Sequence, residues 1–350
     1  MISLQRIYKF LFGCFLACLI ASLSLLCIHI YFGDKTSNIG QYFYPPQSEF
    51  INPKTQNFSI AVVSDTGAED IVLETMLQEI VNTQPKYDFI LHLGDFLTHR
   101  TNTGMQWLLY EIHPKLNGIP LYSTPGNHDI TKHDIRDDIP YKTVMGPGHY
   151  WFGYGNTLFI ALDTSFETID DKQLNWLADT LQKIRPLFKH CVIFTHVPPF
   201  DIKPEIKSNH SLDKISAQKL YNIVKNHKIN MMIFGHVHYY SQDKFAGIPV
   251  YTVPSSGQII RDPTNKYGYV HIEFDKNGLK KVEPRYIDFH GTKREYIEYT
   301  IARDIFHYKL RETISWIMLP GLIFLAFGTI LFIISVIKNI KQKKQRSQSC

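Results

Sequence analysis

Apolar positions along the chain follow two alternating patterns, with a third at each end. Short continuous apolar runs, Ser59 to Ser64 and Phe89 to Leu93, have the length and composition of strands buried on both faces. Between them, Ile71 to Val81 carries its apolar residues at helical spacing, with Glu69 and Asp70 suited to a first helical turn. The alternation continues. Ile119 to Tyr122, Thr157 to Leu162, Cys191 to Thr195 and Ile229 to Phe234 read as strands, and Asp171 to Ile184 and Leu212 to Asn226 as helices. After that the pattern is mostly strand, at Pro249 to Val253, Tyr267 to Phe274 and Leu279 to Ile287. Strands alternating with helices predict an α/β fold with a parallel sheet.

The third pattern is a long run with no charge. Phe10 to Phe32 and Thr313 to Ile337 contain no Asp, Glu, Lys or Arg, and each exceeds the roughly 20 residues a helix needs to cross a bilayer. Both read as membrane spans. The first is preceded by basic residues, as a signal peptide is, but it is long and has no clear small-x-small cleavage site, so a signal anchor is expected. Tyr296 to Tyr308 reads as an aromatic-rich helix leading into the second span.

Charge then sets the orientation. Arg6 and Lys9 flank the first span, and Lys338, Lys341, Lys343, Lys344 and Arg346 flank the second, with no acid among them. Basic flanks face the cytoplasm, so both termini are expected there and the intervening domain on the extracytoplasmic side. The net charge of +5 comes from these flanks: removing those seven from 37 basic residues leaves 30 against 32 acidic ones. No basic face points to nucleic acid. Cys14, Cys18 and Cys27 lie in the first span and Cys191 is the only cysteine between the spans, so no disulfide is expected in the domain. Asn57-Phe58-Ser59 and Asn209-His210-Ser211 are glycosylation sequons, meaningful only in a eukaryotic secretory setting.

The chemistry-bearing residues sit directly after the predicted strands. In order they are Asp65, Gly94-Asp95, Gly126-Asn127-His128-Asp129, His196 and Gly235-His236-Val237-His238. Each alone is weak, since Asn and Asp are ordinary turn residues and a lone His is most often a satisfied loop residue. Their coincidence is not weak: a parallel sheet brings every one of them to the same edge. Carboxylate, amide oxygen and imidazole together suit divalent metals such as Mn, Fe or Zn. A paired-metal site polarises a phosphoryl group and supplies a hydroxide nucleophile near neutral pH. His236 and His238 are alternate residues, which an extended strand would point to opposite faces, so the backbone is expected to turn there.

This series of motifs resembles that of the calcineurin-like metallophosphoesterases, over roughly residues 58 to 290. His149-Tyr150-Trp151-Phe152, the stretch Leu158 to Thr164, and Gln173-Leu174-Asn175-Trp176-Leu177 are similar to the family's central strands and following helix. The resemblance implies a four-layer α/β/β/α sandwich with two facing mixed sheets. The expected organisation is a cytoplasmic N-terminus (1–9), a span (10–32), a linker (33–57), the phosphoesterase domain (58–290), a juxtamembrane segment (291–312), a second span (313–337) and a basic tail (338–350).

By position, the resemblance implies two divalent or trivalent metal ions. Asp95 would bridge them, Asp65 and His238 would hold the first, and Asn127, His196 and His236 the second. His128 would face the phosphate and stabilise or protonate the leaving oxygen, with Asp129 orienting its ring and favouring its protonated form. The family usually has a metal-binding His where this chain has Gly67. Purple acid phosphatases share that Gly but add a Tyr where this chain has Thr98, so the first ion is expected to lack one protein ligand, with His99 or water as replacement. The expected activity is metal-dependent hydrolysis of a phosphate ester or pyrophosphate, on a phosphorylated small molecule or a lipid-linked phosphate at the membrane. The alternative is a membrane-anchored binding or scaffold protein that keeps the fold and has lost catalysis. The segment Pro198 to His210 is either a wall of the substrate entrance or a solvated connector.

Overall fold

The predicted strand runs form two sheets in a computed structural model of the chain, which describes residues 4–67, 70–97, 102–130, 135–136, 140–202, 210–258, 260, 265–288 and 310–348. The five-stranded sheet comprises β2 (Phe58–Val63), β3 (Phe89–His92), β4 (Leu121–Ser123), β11 (Gly268–Asp275) and β12 (Gly278–Tyr286), in the order β12-β11-β2-β3-β4. Strands β2, β3 and β4 are parallel, while β11 runs antiparallel to β2 and β12 to β11. The seven-stranded sheet comprises β1 (Glu49–Ile51), β5 (Tyr150–Tyr154), β6 (Thr157–Ala161), β7 (His190–Thr195), β8 (Met231–Phe234), β9 (Gln242–Phe245) and β10 (Ile248–Thr252), in the order β1-β5-β6-β7-β8-β10-β9. Its centre, β6 to β8 and β10, is parallel. Patterning alone predicted one parallel sheet; two mixed sheets, as the family resemblance implies, are what the chain forms.

The continuous apolar strands are explained by burial on both sides. Phe58, Ile60 and Val62 of β2 and Phe89 and Leu91 of β3 pack against Phe152, Phe159, Val192 and Phe194 of the facing sheet. The alternate residues of the seven-stranded sheet, Leu158, Ile160 and Ile193, pack outward against helices α5 (Asp171–Lys183) and α6 (Lys214–Val224). Leu174, Leu177 and Leu181 give α5 its buried stripe. Asp170 and Asp213 cap the two helices through the backbone N–H groups of Gln173, Ile215 and Ser216. The other sheet carries α2 (Asp70–Asn82), whose Val72, Leu73, Met76, Leu77 and Ile80 are all buried.

Of residues 33–57, expected as a linker, those from Thr36 onward fall in the same compact unit as the two sheets. Phe43 is buried, and β1 pairs in parallel with β5. Helices α3 (Asn102–Ile112) and α4 (Pro140–Met145) and the exposed strand β9 also went unpredicted. Gln242-Asp243-Lys244-Phe245 is an edge strand held by its hairpin with β10, so it carries no apolar run to find.

The terminal helices α1 (Leu4–Thr36) and α7 (Leu310–Gln348) form a unit of their own, and both are long and apolar enough to cross a membrane. Tyr8 meets Phe332 with ring centroids 4.9 Å apart, and a Cβ at Gly321 would come 2.8 Å from that of Cys18. The contacts pair ascending with descending residues, so the two helices are antiparallel, with a small residue where they come close. The expected Tyr296–Tyr308 helix and residues 203–209 of the Pro198–His210 segment lie outside the described residues.

Candidate metal centre

Each predicted ligand follows a strand end. Asp65 comes after β2, Asp95 after β3, Asn127 after β4, His196 after β7, and His236 and His238 after β8. Hydrogen bonds of the site residues help tie the sheets together at this edge. His196 Nδ1–H donates to the Leu93 carbonyl at 2.7 Å, and the His236 backbone N–H donates to Asp65 Oδ2 at 3.0 Å.

The backbone here adopts conformations that ordinary residues avoid. Asp65, Asp95, His236 and His238 have φ of 58°, 58°, 70° and 60°, each costing on the order of 1–3 kcal/mol. Such strain gathers at functional sites because the surrounding fold imposes it. The left-handed turns also explain how alternate residues His236 and His238 serve one site. Two motif glycines let strands approach: a Cβ at Gly126 would lie 2.2 Å from Asp95 Oδ1, and one at Gly235 would lie 2.0 Å from Ser64 Oγ.

The side chains converge at this edge. His196 Nδ1–H donates to the Leu93 carbonyl, and Nε2 faces Asn127 Oδ1 at 3.0 Å, His236 Nδ1 at 3.2 Å and Asp95 Oδ1 at 3.4 Å. Asp95, His196 and His236, all buried, can offer ligand atoms within 4.8 Å of one another. On the other side, His238 Nε2 lies 3.3 Å from the buried Asp65 Oδ1, an ion pair when His238 is protonated. Two buried carboxylates held ionised, with imidazole and amide donors gathered around them, call for positive charge and form a donor set that suits divalent metals, so these residues fit metal ions.

Electrostatics agree. Burial alone would raise the Asp65 and Asp95 carboxyls, but His238 holds Asp65, and His196 holds Asp95, below the usual carboxylate range. Burial opposes charge on His196 as well, yet Asp95 and Asp65 push it up to about 9. Burial, with His196 beside it, drives His236 down to about 3. The two carboxylates thus stay ionised and draw positive charge to the site.

All six predicted ligands are brought together, and His128 sits beside them, half-buried, its backbone N–H donating to Asp95 Oδ1 at 2.7 Å. Asp129 is buried and held by the backbone. Its Oδ2 accepts from the backbone N–H groups of Asp95 (2.9 Å) and Gly126 (2.8 Å), and Oδ1 from that of Phe96 (3.0 Å). It clamps the turn beneath Asp95. Gly67 is buried, and His99, the candidate replacement ligand, lies outside the described residues.

Sequence reasoning missed two histidines. His92 is buried, stacks on Phe96 with centroids 3.6 Å apart, accepts from the Gly94 N–H through Nδ1, and bonds Thr66 Oγ1 through Nε2. His210 brings Nδ1 within 3.4 Å of His236 Nε2. Metal-binding histidines commonly hold a partner on their second nitrogen, and the only hint of His210 in sequence was its place in the segment after His196.

The family profile of the calcineurin-like phosphoesterases matches residues 58–240. The chain belongs to this family. As a calcineurin-like phosphoesterase it is a metal-dependent hydrolase of phosphoric esters, and the family implies a dinuclear metal centre. It is 28% identical over 207 residues to a probable glycerophosphodiester phosphodiesterase of Arcobacter nitrofigilis, covering 54% of this chain and 71% of that one. It is 24% identical over 247 residues to a probable cyclic nucleotide phosphodiesterase of Vesicomyosocius okutanii, covering 66% of this chain and all of the relative. Among solved structures, GAP50, the anchor in the inner membrane complex of Plasmodium, superposes with a TM-score of 0.50 at 13% identity, covering 71% of this phosphoesterase and 95% of GAP50. At that identity the likeness concerns the fold alone.

Proposed function

We propose that this calcineurin-like phosphoesterase is a membrane-anchored phosphodiesterase, with both termini cytoplasmic and its site on the extracytoplasmic side. The observation that carries the activity is the convergence of metal-binding side-chain types at one sheet edge: Asp65, Asp95, Asn127, His196, His236 and His238. Both relatives described above are named for phosphodiesters, which supports that ester class. The basic flanks and the antiparallel α1–α7 pair support the topology.

In the mechanism, Asp65 and His238 would hold one ion, Asn127, His196 and His236 the other, and Asp95 both. Bound there, the ions would supply charge for the phosphoryl oxygens and activate water. The protein does the rest. The His196–Leu93 bond fixes the tautomer that leaves Nε2 free to bind. Asp129 holds the Asp95 turn, and Asp95 in turn fixes the backbone of His128. His128 would give a proton to the departing ester oxygen. Double anchoring raises the local concentration of membrane substrates, which suits a lipid-linked diester.

Gly67 favours a second reading, a scaffold that keeps the fold with a weakened first site. Assaying the full chain with added Mn²⁺ against monoesters, diesters, pyrophosphates and lipid-linked esters separates the two. Metal-stimulated diester hydrolysis is expected; no metal-stimulated turnover of any class would leave the scaffold.

A further inference from the structure

A cavity of about 490 Å³ has Tyr239, the residue next to the candidate ligand His238, among its lining residues, with Tyr240 and Tyr286. Resting on the phosphodiesterase reading, we propose that it is the leaving-group subsite and takes a planar heteroaromatic group, the class to which nucleosides belong.

The topology places its walls at the catalytic edge. Tyr239 directly follows His238, and Ile202 lies in the segment after His196. Asn265 and Lys266 precede β11, whose Val270 pairs with Val62 just before Asp65, and Tyr286 ends β12 opposite Gly268. Asp65 itself anchors the neighbouring loop, its carbonyl accepting from the Gln258 N–H at 2.7 Å.

The walls are also held in place. Thr252 Oγ1 donates to the Tyr239 carbonyl at 2.7 Å, and its N–H donates to the Ser241 carbonyl at 3.1 Å. With that hydroxyl proton committed, Ser241 Oγ donates to Thr252 Oγ1 at 2.9 Å. The Tyr239–Ser241 turn is therefore pinned to the end of β10, and Tyr240 packs against the core between the sheets. Three phenol rings suit a flat ring system better than a flexible polyol. Asn265 and Lys266 add polar groups able to meet ring nitrogens and oxygens. The volume falls within the range of small-molecule sites.

The test is adenosine binding to the full chain in detergent micelles, measured by calorimetry with EDTA and again with Mn²⁺, with glycerol as the control. Adenosine is expected to bind in both conditions, more tightly than glycerol. Tyr286→Ala and Lys266→Ala alter exposed side chains, and Tyr286→Ala should weaken binding roughly fivefold or more. Tyr240→Ala should do the same where its melting temperature shows that it folds. Adenosine binding without hydrolysis of any ester would keep the subsite and overturn the phosphodiesterase reading. No adenosine binding, binding no tighter than glycerol, or binding unchanged in both Tyr286→Ala and Lys266→Ala would overturn the subsite.

Discussion

At the residue scale, the position of Asp129 changes what its removal should do. Its two oxygens hold three backbone N–H groups around Asp95, so it acts on metal binding through the turn. Asp129→Ala should lower metal affinity by roughly ten- to a hundredfold, with kcat largely recovered at saturating metal; a loss of kcat at normal metal affinity would instead return it to the His128 ring. His92 makes a prediction about stability. Burial holds it down at about 3 from an ordinary 6.5, despite the opposing charges of Asp65 and Asp95. Between those values the unfolded chain takes up a proton that the folded chain refuses, so stability is lost as pH falls from 6.5 toward 3. In EDTA, the melting temperature of the wild type should fall more steeply across that window than that of His92→Gln; parallel curves would contradict the assignment. The six candidate ligands were legible because each follows an apolar run, whereas the geometry of His92 and Asp129 was not, since it depends on which backbone groups the turns leave exposed.

At the element scale, strands buried on both faces were readable because they carry continuous apolar runs, and α5 because its leucines keep helical spacing. What escaped was structure made by pairing. Strands β1 and β9 are short and largely exposed, and exist through their bonds to β5 and β10. The division into two sheets also escaped, since β11 and β12 look alike in sequence whichever sheet they join. The integration of residues 36–57 is testable by truncation. A chain starting at 58 loses β1 and the buried Phe43 and should melt at lower temperature than one starting at 36. Equal melting temperatures would restore the linker.

At the scale of the whole molecule, the apolar ends and the catalytic edge were both visible in the sequence, while the antiparallel contact of Tyr8 with Phe332 and Cys18 with Gly321 was not. That pairing and the basic flanks predict one side for both termini. Reporter fusions active only in the cytoplasm should work at either end, and a signal from one end alone would contradict the topology. The central claim is that the six converging side chains hold metal for phosphoric ester hydrolysis. It is tested most directly by measuring bound Mn²⁺ together with turnover of a generic phosphodiester in the wild type and Asp95→Asn. The wild type should bind two ions per chain and turn over only when loaded, and Asp95→Asn should lose both metal and activity. Unchanged metal-dependent turnover in Asp95→Asn, or a wild type that binds no Mn²⁺, would contradict it.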